Sequence, residues 1–268
     1  RSTMAIVLTI LLVVMLGLCI ITSLLNAGSG LGGAGFGPSD GVLTERFVDG
    51  DPEAENLAAM IPIKGVIMEG GSGGGLLGAP QRDMLALTKQ RIERAVQAGA
   101  KALVLEIDSP GGGVWASAWL HKLIVDTKSE HQLPVVALMK NVAASGGYYI
   151  AAPCDWIVAA PSTITGSIGV IMTHYDASEL ATEKLGIKYE PFTSAPMKDT
   201  LSPLREVRPD ERAHLNEMVS QMYDEFLDVV VSGRSGKVTR EGVMALQSRI
   251  VTGVQAKEAG LIDELGYT

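Results

Sequence analysis

Short apolar runs alternate with helical patterns along this chain, and three of the turns that follow its apolar runs carry clustered glycine. IPIKGVIM (61–68) precedes LLGAPQRDMLALTKQRIERAVQAG (76–99), in which Leu85, Ile92 and Val96 recur at helical spacing before Gly99. ALVLEID (102–108), a glycine turn, helical ASAWLHKLIVDTKS (116–129) and apolar PVVALMK (134–140) repeat the pattern. A further helix begins near Ser145, and WIVAAP (156–161) leads through the turn TITGSIG into apolar GVIM. Strands separated by helices can lie parallel and side by side, because each helix carries the chain back across the sheet. The fold class expected is therefore α/β with a mostly parallel sheet. Loops at the carboxyl ends of such strands converge on one crevice, so three glycine turns can share one site.

Further on, PDERAHLNEMVSQMYDEFLDVVVSGR (209–234) opens with proline and acidic residues and carries Leu215, Met218, Met222, Phe226 and Val229 on one face. It predicts a long helix whose apolar face serves the core or a neighbouring subunit. The end, 238–268, predicts two short helices and a closing segment. GGSGGGLLGA (70–79) is a glycine-rich loop, either mobile beside a substrate or a plain connection.

The N-terminal part is a different material. Its first 39 residues carry one charge, that of Arg1, and Met4 to Leu25 is uncharged and strongly apolar. At about 1.5 Å per residue a helix over that stretch spans roughly 33 Å, enough for a bilayer core. A cleaved signal peptide is the competing reading, but its apolar region is usually only about 7–15 residues long. The expected domains are a transmembrane anchor over 1–25, a flexible glycine-rich linker over 26–55, and one α/β domain over 56–268. With 30 acidic against 22 basic residues and no basic cluster, a nucleic-acid partner is not expected. The two cysteines form no framework, and His121, His131, His174 and His214 fall in no metal-binding spacing, so no metal is expected.

Within NVAASGGYYIAAPCD (141–155), Ser145 has two readings. A serine at a helix start caps a free backbone N–H; a serine followed by Gly146 and Gly147 is also an exposed hydroxyl beside amides that can meet a developing negative charge. DSPGGGV (108–114) and TGSIG (165–169) are the companion turns. A nucleophilic serine needs a base, and no histidine has an evident claim. Lysine serves only if kept neutral, which means lowering a pKa of about 10.4 by roughly 3 units, about 4 kcal/mol. Lys198 in TSAPMKDTLSPLRE is the candidate, although Asp199 beside it equally permits a plain ion pair.

Taken in order, DSPGGGV, NVAASGGYYIAAPCD, TGSIGV, KDTLSPLRE and RIVTGVQAKEAGLIDELG resemble the bacterial signal peptide peptidase A family over roughly Ile61 to Thr268. The resemblance implies a Clp protease/crotonase-like domain of repeated ββα units in a spiral, behind one N-terminal transmembrane helix. It implies Ser145 as nucleophile, Lys198 as general base and Ser167 as the hydroxyl that orients the lysine. The N–H groups of Gly112 and Gly146 match the oxyanion hole, and Gly113, Val114 and Trp115 match a strand that pairs with extended substrate. The residues before the lysine, SAPM, differ from the glycine-containing lead of many members, which leaves Lys184 and Lys188 as nearby alternatives. The family pattern further implies peptide substrates such as cleaved signal peptides, no cofactor, and a catalytic domain on the extracytoplasmic face of the cell membrane. It also implies a homo-oligomeric ring or dome, often an octamer, in which serine and lysine of one site come from neighbouring chains. Two alternatives stand beside it: a crotonase-like acyl-CoA enzyme, and a catalytically silent membrane scaffold.

Overall fold

The computed structural model describes residues 43, 45–51, 54, 56–70 and 83–267. The expected transmembrane helix, most of the linker and the loop from Gly71 to Ala79 lie outside the described residues. Among the described residues no helix is long and apolar enough to cross a membrane. The chain falls into two units, Arg1–Asp49 and Gly50–Thr268, and the sheet belongs to the second.

Strands β1 (Ala58–Lys64), β2 (Ala102–Ser109), β3 (Val135–Ala144), β4 (Trp156–Ala159) and β7 (Glu264–Leu265) pair in that order, all parallel. The connections between β1, β2 and β3 are helices α1 (Met84–Gln97) and α2 (Val114–His131). Asp83 caps α1 by accepting the Leu85 N–H at 2.9 Å, and Gly99 takes φ +78° just past its end, as the helix-then-glycine pattern predicts. Leu85, Thr88, Ile92 and Ala95 form its buried face. The apolar members of that face pack with Leu103, Leu105, Ile107, Val135, Ala137 and Met139 of the two central strands in one continuous core. Burial alternates strictly along β2, so its period of two matches the pleat.

One expectation needs correction. TITGSIG is not only a turn: Ile164–Gly166 forms a short strand, β5, while the GVIM that follows carries no strand and leaves Ile171 86% exposed. The reason lies in β3, which is long enough to change partners. Its Val136–Met139 half pairs with β4, and Val142–Ala144 pairs with β5. Strand β6 (Ile250–Thr252) then closes on β5 antiparallel. Helix α4 (Pro209–Gly233) forms as expected, and its apolar face meets the core near its carboxyl end. Phe226, Leu227 and Val230 are buried, while Leu215, Met218, Met222 and Val229 are half-buried. Two short helices, α5 (Arg240–Ala245) and α6 (Gly253–Glu258), complete the carboxyl region as expected.

Tyr148, within helix α3 (Gly146–Ala151), donates its hydroxyl to the Leu261 carbonyl at 2.8 Å. Nearby, the fully buried Arg234 forks onto Asp263 at 2.8 and 2.9 Å. Burial pushes the Asp263 carboxyl up, but bonds from Arg234, Lys237 and the Ile157 N–H outweigh it and hold its pKa at about 2. This pair ties the closing segment to β4.

Candidate active site

The exchange of partners by β3 leaves Ser145 at the gap, one residue beyond the pairing of Ala144 with Gly166. Its N–H donates to the Gly166 carbonyl at 2.9 Å, and its own carbonyl accepts the N–H groups of Tyr148 and Tyr149, each at 2.9 Å. Held on both sides, Ser145 takes φ 52°, ψ −121°, a region that residues with a Cβ enter only at a cost of about 1–3 kcal/mol. It occupies the N-cap position of α3, yet its hydroxyl makes no capping bond. The side chain is left half-exposed and free of the structural duty that a serine at a helix start usually performs.

Facing it is the glycine turn after β2. A single parallel bridge joins Ile67 to Gly112: Ile67 N–H donates to Gly111 O at 2.9 Å, and Gly113 N–H donates to Ile67 O at 2.8 Å. Because those bonds use the neighbours of Gly112, its own N–H points to the opposite side and donates to nothing among the described residues. The Gly146 N–H, first in α3, is equally free among them. Close approach explains the glycines. A Cβ on Gly112 would lie 2.0 Å from the Ile67 carbonyl oxygen, and one on Gly111, whose φ is +97°, would lie 2.5 Å from the Gly146 nitrogen. A Cβ on Gly146 would fall 3.2 Å from the Gly112 nitrogen, so the two free amides stand side by side. Two unpaired N–H groups next to an uncommitted hydroxyl form a site suited to an oxyanion.

Ser167 follows Gly166 directly, at φ 50°, with its N–H donated to the Arg249 carbonyl at 2.9 Å. Ser145 and Ser167 each follow directly on the paired Ala144 and Gly166, the last pair of that register. Gly113 is the N-cap residue of α2, and Val114 and Trp115 are 44% and 56% exposed at its start. Val66 and Met68, on either side of the bridged Ile67, are exposed as well. An open edge with apolar side chains thus lies along the Gly112 turn.

Lys198 is not bonded to this group among the described residues. It is exposed on a 3-10 turn, Pro196–Asp199, and among the described residues no hydrogen bond or ion pair joins its ammonium to Ser145 or Ser167. The suspected pairing with Asp199 is absent too, because that carboxylate is held by Arg205, whose Nε and Nη2 reach its two oxygens at 2.7 and 2.8 Å. Lys184 and Lys188 are also exposed. Histidine plays no part: His121 packs edge-on against the Tyr149 ring at 5.3 Å, its pKa lowered by burial, and His174 Nε2 contacts the Ser202 carbonyl.

A model of peptidase family S49 matches residues 127–268, just over half of the chain. The chain belongs to peptidase family S49. The match contains Ser145, Ser167 and Lys198 and begins after Gly112, and it bears out the resemblance to signal peptide peptidase A read from the motifs. Among curated relatives of this S49 chain, a candidate signal peptide peptidase SppA of Enterococcus faecium is 39% identical over 188 residues, 70% of this chain and 53% of that one. Protease 4 of Salmonella typhi is 32% identical over 209 residues, 78% of this chain and 32% of that one. The S49 chain thus spans about half the length of the first of these and less of the second. A solved structure of a membrane-bound stomatin-specific protease, in a mutant form, superposes with a TM-score of 0.51 at 18% identity, covering 80% of this chain and 82% of that one. That likeness concerns the fold.

Several contributors to the candidate site escape a reading by motif. The buried Ser109 accepts the Gly111 N–H at 3.1 Å and shapes the glycine turn; its place just ahead of Pro110 was the available signal. Arg249 and Ser248, which bond the backbone of Ser167 and Ile168, lie about 80 residues away with no local pattern to mark them. Ser117, 3% exposed, is the one buried side-chain polar group without a partner among the described residues, and its Oγ would lie 2.2 Å from a Cβ on Gly146. It packs against Gly146.

Proposed function

We propose that the chain is a membrane-anchored serine endopeptidase that hydrolyses apolar peptides such as cleaved signal peptides. The observation that carries this reading is Ser145, strained in backbone, unused as a cap, and set beside the unpaired N–H groups of Gly112 and Gly146. In the proposed mechanism neutral Lys198 Nζ takes the proton from Ser145 Oγ as the oxygen attacks the peptide carbonyl carbon. The two N–H groups receive the oxyanion, and the departing amine takes the proton as the C–N bond breaks. Water, deprotonated by the same lysine, then cleaves the ester and returns Ser145. Ser167 orients the lysine. The substrate lies extended beside the Gly112 turn, ahead of helix α2, with Val66, Met68, Val114 and Trp115 offering apolar contact.

Lys198 reaches Ser145 from a neighbouring copy in a ring or dome of the Clp protease/crotonase-like spiral domain, an octamer in the pattern the family resemblance implies. Supporting this, the stretch that carries Lys198 exposes Ile171, Tyr175, Leu185 and Phe192, the last 95%, in the single chain. Apolar groups so placed call for a covering partner. Met4 to Leu25 tethers the assembly to the cell membrane, with the site on the extracytoplasmic side. The test is turnover of an apolar peptide by wild type, Ser145→Ala and Lys198→Ala in parallel. Both variants are expected to lose at least about 10³-fold in kcat/KM. Undiminished cleavage by either one sinks the dyad, while absence of cleavage with acyl-CoA binding by wild type points to the crotonase alternative.

A further inference from the structure

In the Lys198 turn none of Pro196, Met197, Lys198 and Asp199 is buried. What holds it is a polar clamp centred on Glu211, in the first turn of α4 and 0% exposed. Arg205 lies between two carboxylates. One edge covers Asp199 through Nε and Nη2, and the other reaches Glu211 through Nη1 at 2.8 Å and Nη2 at 2.5 Å. Nη2 also donates to the Asp199 carbonyl at 3.0 Å. Glu211 further accepts the Thr200 hydroxyl at 3.1 Å and the Arg208 N–H at 3.0 Å, and Arg208 Nη2 at 2.6 Å. Thr200 shares that one proton with the Met197 carbonyl at 2.7 Å, and Arg208 donates to the carbonyl of Pro196. Every residue flanking Lys198 in the turn is therefore tied back to one buried carboxylate.

We infer that Arg205 and Glu211 are positioning residues for Lys198, which keep the Asp199 carboxylate from pairing with the lysine. The inference rests on the reading of Lys198 as general base. A carboxylate one residue from a lysine is its nearest counter-ion and favours the charged ammonium, which cannot accept a proton from serine. Here both oxygens of Asp199 are occupied by the Arg205 fork, a geometry lysine cannot reproduce. The charges close without Lys198: Asp199 and Glu211 balance Arg205 and Arg208. Asp210, exposed and 3.7 Å from Arg208, is the remaining acid at the start of the helix, and Glu206 contributes only its carbonyl, to Arg205. The clamp thus does two things at once: it fixes the turn in space and leaves the ammonium without a partner among the described residues.

The two functions separate by experiment. With full-length protein and an apolar peptide, Arg205→Gln frees Asp199, and the lower limb of the pH–kcat/KM profile is expected to move to higher pH by about 1 unit. Adding Asp199→Asn in the double variant removes the carboxylate and returns the limb to within about 0.3 unit of wild type, which a purely structural lesion does not do. If Arg205→Gln does not fold, Arg205→Lys keeps the charge but cannot cover both Asp199 oxygens, and it carries the same test with a smaller shift. A limb that stays in place in the single variant, or that the second substitution fails to restore, overturns the inference. Lys198→Ala is run alongside: retained turnover there removes the general-base reading itself, a failure distinct from that of the clamp.

Discussion

Replacing Ser145 by glycine is expected to stabilise the protein relative to the alanine variant while abolishing turnover. At φ 52°, ψ −121°, any residue with a Cβ carries a conformational penalty of about 1–3 kcal/mol, which glycine escapes. Glycine costs about 0.5–1 kcal/mol more than alanine through the freedom of the unfolded chain. The difference leaves Ser145→Gly more stable than Ser145→Ala by about 1 kcal/mol. Neither substitution removes a capping hydrogen bond, because the serine hydroxyl caps nothing, so the comparison isolates backbone strain. For a domain of this size that corresponds to roughly 2–4 °C in Tm. The assay is thermal unfolding of wild type and both variants followed by circular dichroism, at one protein concentration because assembly also raises Tm. If the glycine variant melts at or below the alanine variant, Ser145 is not strained and the link from strain to function is lost.

The same geometry and electrostatics set two further outcomes. Gly112→Ala places a methyl 2.0 Å from the Ile67 carbonyl oxygen, a backbone atom that cannot swing aside, so the turn and its free N–H must shift. Peptide kcat is expected to fall by about 10²-fold or more and stability by about 1–3 kcal/mol, read by turnover and by urea unfolding. Acid should unfold the protein through Glu211 and Asp263, both held at about pKa 2 against ordinary values of 4.5 and 3.8. For Glu211 the main cause is the bond from Arg205; for Asp263 it is Arg234 and Lys237 prevailing over burial. Lowered folded-state pKa values contribute stability that is complete above the unfolded values and lost as pH falls toward 2, so Tm is expected to be flat above about pH 5 and to drop between about pH 4.5 and 2. A Tm independent of pH across that window contradicts both assignments.

The parallel sheet and the glycine turns were legible in the sequence because each rests on contiguous residues. ALVLEI is a short apolar run bounded by a glycine turn, and Gly111, Gly112 and Gly146 announce close approach by lacking a side chain. What stayed hidden depends on distant pairings. The period of Leu215, Met218 and Met222 marks a face of α4 but cannot say what covers it, and the core takes only the far end. The Arg249 carbonyl that holds Ser167 is invisible for the same reason. At Lys198 the neighbouring Asp199 was the misleading signal, because adjacency in sequence implies an ion pair that Arg205, six residues on, has already taken.

The strain at Ser145 and the length of β3 are two aspects of one arrangement. Had β3 ended where β4 does, at the Met139–Ala159 pair, the chain would leave the sheet at an ordinary loop. Instead Val142–Ala144 continues alongside β5, and the last bond of that extension is the Ser145 N–H on Gly166. The Ser145 carbonyl must meanwhile point into α3 to accept Tyr148 and Tyr149, whose helix is buried throughout. With N–H committed to one element and carbonyl to another, φ and ψ are over-determined and the positive φ persists despite its cost. The same rotation leaves the hydroxyl without a capping bond, while the Gly146 N–H, first in the helix, has no intrahelical acceptor. Free hydroxyl and free amide thus stand together where the strand runs on past its first partner and turns into the helix.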